Sequence, residues 1–169
     1  NQAGQVVSKG LAALGLRFRV GAFTNTLVNN YVDIHYTFVS VLATENNTTV
    51  TFSGMKTGVQ LVNSATGDSP FNVVLNRGES YVMAVQGPTN ENRDGLIGSL
   101  VLADKPIAVN CGSFGGSNAV ANLDLGFDQI VPVERITSSD YIFIKSTGID
   151  EVEKVIIVAD EDNTEIFLN

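Results

Sequence analysis

The sequence predicts an all-β protein, with an antiparallel, jelly-roll-like β-sandwich unit followed by the start of a second β repeat. Three observations predict it. Charged residues make up only 17% of the 169 residues, while Val, Ile, Phe, Thr and Asn are abundant, which is typical of sheets joined by polar turns. Apolar and polar residues alternate over short segments bounded by Gly, Asn, Asp or Pro. Finally, a strand–turn–strand pattern at residues 39–50 recurs 116 positions later, at residues 155–166.

The alternation assigns the elements in order. Strands are predicted at residues 16–22, 31–43, 48–53, 59–61, 73–75, 81–85, 96–102 and 107–111. The last two are separated by a predicted turn at residues 103–106, which contain Asp104 and Pro106. Residues 8–14 are the one helix candidate, because Ser8 suits a cap and Gly15 a stop. The Gly/Ser/Asn-rich residues 112–122 are predicted to be the loop between units.

The recurring pattern predicts a β-hairpin with a Glu/Asn/Asp tip in each copy, and a structural unit of roughly 115 to 125 residues. Residues 1–116 are then one β-sandwich unit, and residues 117–169 begin a second, acidic unit. Tyr141 and Phe143 correspond to Phe18 and Val20 in this scheme, with a shorter loop in the second copy. The chain is therefore expected to be a piece of a longer repetitive protein.

Charge is unevenly placed along the chain. Residues 1–116 are neutral overall, so the whole net charge of −8 lies in residues 117–169. An acidic surface repels phosphates, which argues against nucleic acid and anionic membranes as partners. No apolar run reaches the 18 or more residues of a membrane helix, so no membrane insertion is predicted.

No catalytic or cofactor-binding residues are predicted, and we expect the chain not to be an enzyme. His35 is the single histidine, it lies in mid-strand, and no Gly-x-Ser-x-Gly elbow is present. Cys111 has the same parity as Val109 in its strand, which predicts a small buried side chain rather than a reactive thiolate. The Gly-rich residues 112–117 lack the strand–loop–helix context of a phosphate site.

A metal site stays open at this point. The calcium candidates are four carboxylates: Asp124, Asp128, Asp160 and Asp162. Calcium takes six to eight oxygen ligands, usually from several loops, and the turn in the first copy has a single acid, Glu45. Turn chemistry explains Asn and Asp in both copies without a metal, so no cofactor is the favoured expectation.

Seven short motifs, in this order, resemble a known family: SKGLAALG (8–15), FRVG (18–21), SVLATE (40–45), NRGESY (76–81), KPIAV (105–109), DQIVPV (128–133) and ADEDNT (159–164). They resemble the domain named after the amino-terminal region of the IgG-Fc-binding protein. The likeness is to versions in very large secreted proteins of Bacteroidota that carry gliding-motility-associated, type IX secretion sorting domains. The resemblance implies an extracellular, β-rich, non-catalytic module used in adhesion or display.

The function expected from these observations is a cell-surface or secreted adhesin module that binds a protein or glycan ligand on a surface, next to further repeats of its parent protein. Two alternatives remain at this stage. One is a carbohydrate-binding accessory module of a secreted polysaccharide-degrading enzyme, for which Tyr31, Tyr36, Tyr81 and Tyr141 are the available sugar-stacking rings. The other is a structural stalk or spacer without a ligand.

Overall fold

The computed structural model describes residues 7–22, 36–64, 66–87, 90–116, 124–137, 140–144 and 155–168. Seven antiparallel strands form one curled sheet, so the predicted all-β, sandwich-like class is confirmed. The strands are β1 (Gly15–Arg19), β2 (Tyr36–Ala43), β3 (Thr48–Ser53), β4 (Phe71–Leu75), β5 (Ser80–Gln86), β6 (Leu100–Gly116) and β7 (Asp124–Gln129). A short helix, α1 (Asn90–Asp94), and single 3-10 turns at Gly10–Ala13 and Val133–Arg135 complete the described elements. The helix candidate at residues 8–14 thus contains one 3-10 turn, and sequence reasoning missed α1.

Strand β6 is the centre of the sheet. Along one edge its residues 100–103 pair with β3 and its residues 107–114 pair with β2. Along the other edge it pairs first with β1 and then with β7. Beyond these neighbours, β4 pairs with β3 and β5 with β2. One 17-residue strand therefore belongs to two layers, β4-β3-β6-β1 and β5-β2-β6-β7.

The sheet bends where β2 passes into β3. Six residues, 44–49, stand opposite only three residues of β6, 104–106, and neither edge of β6 has a ladder partner for those three. Side chains join the corner: the Thr44 hydroxyl donates to the Pro106 carbonyl at 2.5 Å, and the Thr49 amide donates to Asp104 Oδ1 at 2.8 Å. Pro106 lacks an N–H, and its position outside the ladder means that no ladder bond is lost.

Two sequence predictions are corrected at this corner. Residues 39–50 are not a hairpin, because β2 and β3 do not pair with each other and instead follow one another along β6. Residues 103–106 do not end a strand, because β6 runs through them. In addition, residues 112–116 of the predicted inter-unit loop belong to β6, and Leu61 of the predicted 59–61 strand makes only an isolated bridge to Val85.

The core lies between the two layers. Alternate residues of the strands point into it, including Phe18 from β1, Val41 from β2 and Val109 from β6. The Phe52 ring of β3 meets the Tyr81 ring of β5 at 5.6 Å between centroids, and Phe71 of β4 stacks on Phe52 at 5.1 Å. The Phe52–Tyr81 contact joins the two layers, whereas Phe52 and Phe71 are opposite residues within one layer. Aromatic pairs at such distances add to the stabilisation from burial. The side chains that alternate with these core residues point away from the core.

Candidate functional site

Two arginines on the outward face of β1 hold the second copy of the repeated turn. Arg17 and Arg19 flank the buried Phe18, so the alternation of the strand directs both guanidinium groups outward. Both bind the Asp160 carboxylate: Arg19 Nε donates to Oδ1 at 2.8 Å and Arg17 Nη2 donates to Oδ1 at 3.0 Å. Arg19 Nη2 also donates to the Asp160 carbonyl at 2.7 Å. A side chain and a backbone group of the turn are therefore fixed to β1.

The electrostatics of this contact favour an ionised carboxylate. Burial tends to raise the pKa of Asp160, but the hydrogen bonds and charges of Arg17 and Arg19 outweigh it, so the pKa lies below its ordinary value. The three side chains are between 23% and 40% exposed, so solvent screens the attraction in part. Val158 lies against Gly21, whose missing side chain leaves room for that close approach. The ion pairs of Asp160 and the packing of Val158 on Gly21 therefore both hold this turn against the first copy.

The two copies of the repeated turn have the same local conformation. Thr48 donates its hydroxyl to the Glu45 carbonyl at 2.8 Å, and Thr164 donates to the Glu161 carbonyl at the same distance. The residue before each threonine, Asn47 or Asn163, has a left-handed φ of 52° or 60°. Asparagine tolerates this region better than most residues, which explains why both copies use it.

The surroundings of the two copies differ sharply. Val39, Val41, Val50 and Phe52 of the first copy are each 0% exposed. Their counterparts at an offset of 116, Val155, Ile157, Ile166 and Leu168, are 51%, 49%, 52% and 86% exposed. Residues 155–159 and 164–168 carry no strand assignment. The hydrophobic residues at 141–144, 155–157 and 166–168 are all exposed.

A second set of contacts ties residues 128–134 to the start of the chain. Lys9 Nζ binds Asp128 Oδ2 at 2.6 Å, and the Lys9 amide donates to Gln129 Oε1 at 2.7 Å. Burial tends to raise the pKa of Asp128, but the bonds from Lys9 and from backbone amides outweigh it and lower the pKa. At Gly15 a side chain would collide with Pro132, because a Cβ there would lie 2.2 Å from the Pro132 Cβ. Residues on both sides of position 116 are therefore in close contact.

The sheet also crosses the predicted boundary, since β7 lies beyond residue 116 and pairs with β6. The division into units at 1–116 and 117–169 stays a prediction. The shared turn conformation agrees with a repeat, while the pairing of β7 shows that the two parts share backbone hydrogen bonds.

The four calcium candidates have different surroundings in the structure. Asp160 and Asp128 are bound by arginine and lysine side chains. Asp162 is exposed on the turn, and Asp124 begins β7, with its side chain outside the described part. Among the described residues no three His, Cys, Asp or Glu side chains come together as a metal group. The described residues therefore provide no assembled set of calcium ligands.

Cys111 is 2% exposed, so its predicted place in the core is confirmed. Its thiol donates to the Gly21 carbonyl at 2.7 Å, and burial raises its pKa to about 11. A thiol with such a pKa is almost wholly protonated at neutral pH, which makes it a poor nucleophile. His35 and Tyr31 lie outside the described residues.

Sequence reasoning missed the paired arginines. The signal was present as Arg17 and Arg19 on one face of a strand and an acid, Asp160, in the repeated turn. Both copies have this turn, but the first copy has Thr44 at the corresponding place, and Thr44 binds within its own corner. The carboxylate contacts of Arg17 and Arg19 therefore exist only with the second copy of the turn.

The sheet, the bend in β6 and the contacts to residues 128–134 and 158–160 define an all-β module with exposed apolar side chains at residues 141–144, 155–157 and 166–168. The family model described as IgGFc binding protein matches residues 5–169, so the chain belongs to that family. The family assignment expected from the seven motifs is confirmed. Comparisons with curated proteins and with solved structures gave no match. In the described ranges, no helix has the length and apolar character needed to cross a membrane.

Proposed function

We propose that the chain is a non-catalytic, extracellular binding module that recognises a protein ligand, with the Fc region of immunoglobulin G as the first candidate. The family match over residues 5–169 carries this proposal. The family takes its name from binding, and the match spans nearly the whole chain rather than an isolated motif.

The outward face of β2 and β5 is the part of the sheet that we assign to the ligand. Leu42 of β2 and Val82 of β5 are 42% and 55% exposed. Val82 pairs with Ser40 and Leu42 with Ser80, so the two apolar side chains are diagonal neighbours on one face. An exposed apolar pair on a rigid sheet suits a protein interface, where a few anchors contribute most of the affinity.

The test is the binding of the purified chain to immobilised Fc, with Fab fragments as the reference surface. We expect saturable binding to Fc that Val82→Asp weakens at least about tenfold, because a carboxylate would be buried against an apolar contact. Val74→Asp is the matched control, since Val74 is 64% exposed on β4 in the other layer. Equal binding to Fc and Fab, or equal losses from the two variants, would remove the support for this surface and ligand.

The proposal includes location at the surface of a Bacteroidota cell after type IX secretion, which rests on the likeness of the seven motifs to such secreted proteins. Protease treatment of intact cells that carry the parent protein tests it. We expect the module to be cleaved without lysis, and full protection until lysis would place it inside the cell.

A glycan ligand is the second candidate, favoured by one observation. Tyr141 and Phe143, two positions apart, are each 60% exposed, so two rings are open to stacking. Tyr81, by contrast, packs against Phe52 in the core. Saturable binding to one polysaccharide that Tyr141→Ala abolishes, without binding to Fc, would replace the protein ligand by a glycan. Binding to neither, together with end-to-end association of modules, would favour the spacer role.

A further inference from the structure

In the first copy, β6 holds together three strands that do not pair with each other. Strands β2 and β3 lie one after the other along one edge of β6, and β1 lies along the other. With β6 in place, Phe18, Val41 and Phe52 are fully buried.

Residues 140–144 and 155–168 contain counterparts of these same three strands. Tyr141 and Phe143 correspond to Phe18 and Val20 of the β1 region, residues 155–159 to β2, and residues 164–168 to β3. The turn at residues 160–163 already has the conformation of the β2–β3 corner, including its threonine hydrogen bond and left-handed asparagine. The contacts of Arg17 and Arg19 with Asp160 hold this turn in position. Nevertheless the side chains that are buried in the first copy are exposed in this one.

We propose that residues 140–144 and 155–168 form a strand acceptor that binds a β strand with the residue pattern of β6. The inference rests on the correspondence between the copies and does not depend on the identity of the ligand under the proposed function. The occupant is an antiparallel strand that is not already paired and that carries inward apolar residues at the positions of Val101, Ile107, Val109 and Cys111.

The first copy shows why this occupant fits. A strand of the β6 type offers one edge to the β2 and β3 counterparts and the other to the β1 counterpart, as β6 does. Its corner, equivalent to residues 104–106, would lie opposite the turn at residues 160–163, as residues 104–106 lie opposite residues 44–49. A new strand on an open edge gains affinity from main-chain hydrogen bonds and specificity from alternate side chains.

The experiment adds a synthetic peptide of residues 99–116, with serine in place of Cys111, to the full chain. We expect saturable binding, and at least about tenfold slower amide hydrogen exchange in residues 155–159 and 164–168. A peptide with Ile107→Pro and Val109→Pro should bind at least about tenfold more weakly, because proline removes ladder donors.

Two chain variants separate this site from the ligand surface. Ile157→Lys places a charge where the β2 counterpart should face the core, and we expect it to weaken peptide binding at least about tenfold. Ile157 is 49% exposed, so the substitution should leave the sheet folded. Val82→Asp, which tests the Fc surface, should leave peptide binding within about twofold of the unsubstituted chain.

The proposal would be overturned if the peptide bound without protecting residues 155–168, or if Ile157→Lys left binding unchanged. Protection changes confined to β2 and β3 would show exchange into the existing sheet, which also overturns it. Loss of Fc binding alone would refute the proposed function and leave the strand acceptor standing.

Discussion

Substitution of Asp160 by Asn tests whether the arginine pair holds residues 155–168 on β1. The variant keeps the shape of the side chain but replaces the carboxylate, which accepts four hydrogen bonds from Arg17 and Arg19, by a neutral amide. The bond from Arg19 to the Asp160 carbonyl remains.

The magnitude follows from the exposure of the partners. Hydrogen bonds to charged groups contribute about 1.5–3 kcal/mol, and exposed ion pairs at most about 1 kcal/mol. Because Arg17 is 40% exposed while Asp160 is 23% exposed, we expect a loss of about 1–2 kcal/mol in the docking of this segment. Since about 1.4 kcal/mol is tenfold, detachment should become roughly 5- to 30-fold more frequent.

The assay is native-state proteolysis with thermolysin, followed by mass spectrometry of cleavage at residues 155–159. When opening is fast, the cleavage rate follows the open population, so it should rise by the same factor. Asp162→Asn is the matched control, because it removes an exposed carboxylate from the same turn. Cleavage near Phe143 should not change, because the partners of Asp160 are Arg17 and Arg19 rather than residues 141–144. Equal cleavage of the two variants would refute the reasoning.

The Asp160 contact also makes the attachment of residues 155–168 depend on pH, and the lowered pKa of Asp160 sets the direction of that dependence. The pKa of Asp160 is lower in the folded chain than in the unfolded chain, where it is about 3.9. Its contribution is therefore fully present above about pH 4 and is lost as the pH falls through the depressed folded value. Cleavage at residues 155–159, read with an acid-active protease, should rise over that range in the unsubstituted chain and stay flat in Asp160→Asn.

Three further outcomes are expected. Cys111 should react with iodoacetamide at pH 8 at least about 100-fold more slowly in the folded chain than in denaturant, because its pKa rises from 9.0 to about 11 on burial; equal rates would contradict that burial. Millimolar calcium or excess chelator should move the unfolding midpoint by less than about 1 °C, because Asp128 and Asp160 are occupied by cationic side chains; a shift of several degrees, measured calorimetrically, would restore the calcium interpretation. Val41→Ala should lower the free energy of unfolding, measured in urea, by about 2–3 kcal/mol, because Val41 is fully buried. The counterpart variant Ile157→Ala should lower it by less than about 0.5 kcal/mol, and similar losses from the two variants would show that the second copy is buried too.

Alternation in the sequence located most strands well. The strand that the sequence predicts at residues 48–53 is β3, and the strand predicted at residues 81–85 lies within β5. Period-2 patterning reports which face is buried, and this information is local. It correctly placed Cys111 in the core because the residue shares the parity of Val109.

Pairing partners could not be predicted in the same way. A polar turn between two apolar strands is the usual signal of a hairpin, yet here it marks a corner at which both strands stay on β6. The local residues are compatible with either result, and the distant strand decides. The turn predicted at residues 103–106 is wrong for the same reason. A proline between two apolar segments normally marks the end of a strand, but β6 continues through Pro106.

The position of β6 in the chain has a consequence for biogenesis. Strands β1 to β5 all precede it, and two of its partners, β2 and β3, have no pairing with each other. During synthesis their apolar faces therefore stay unsatisfied until residues 100–116 emerge, so closure is a late, long-range event. A nascent chain stalled before this point would present ready-made edges to other molecules, and chaperone holdases should bind it most strongly there.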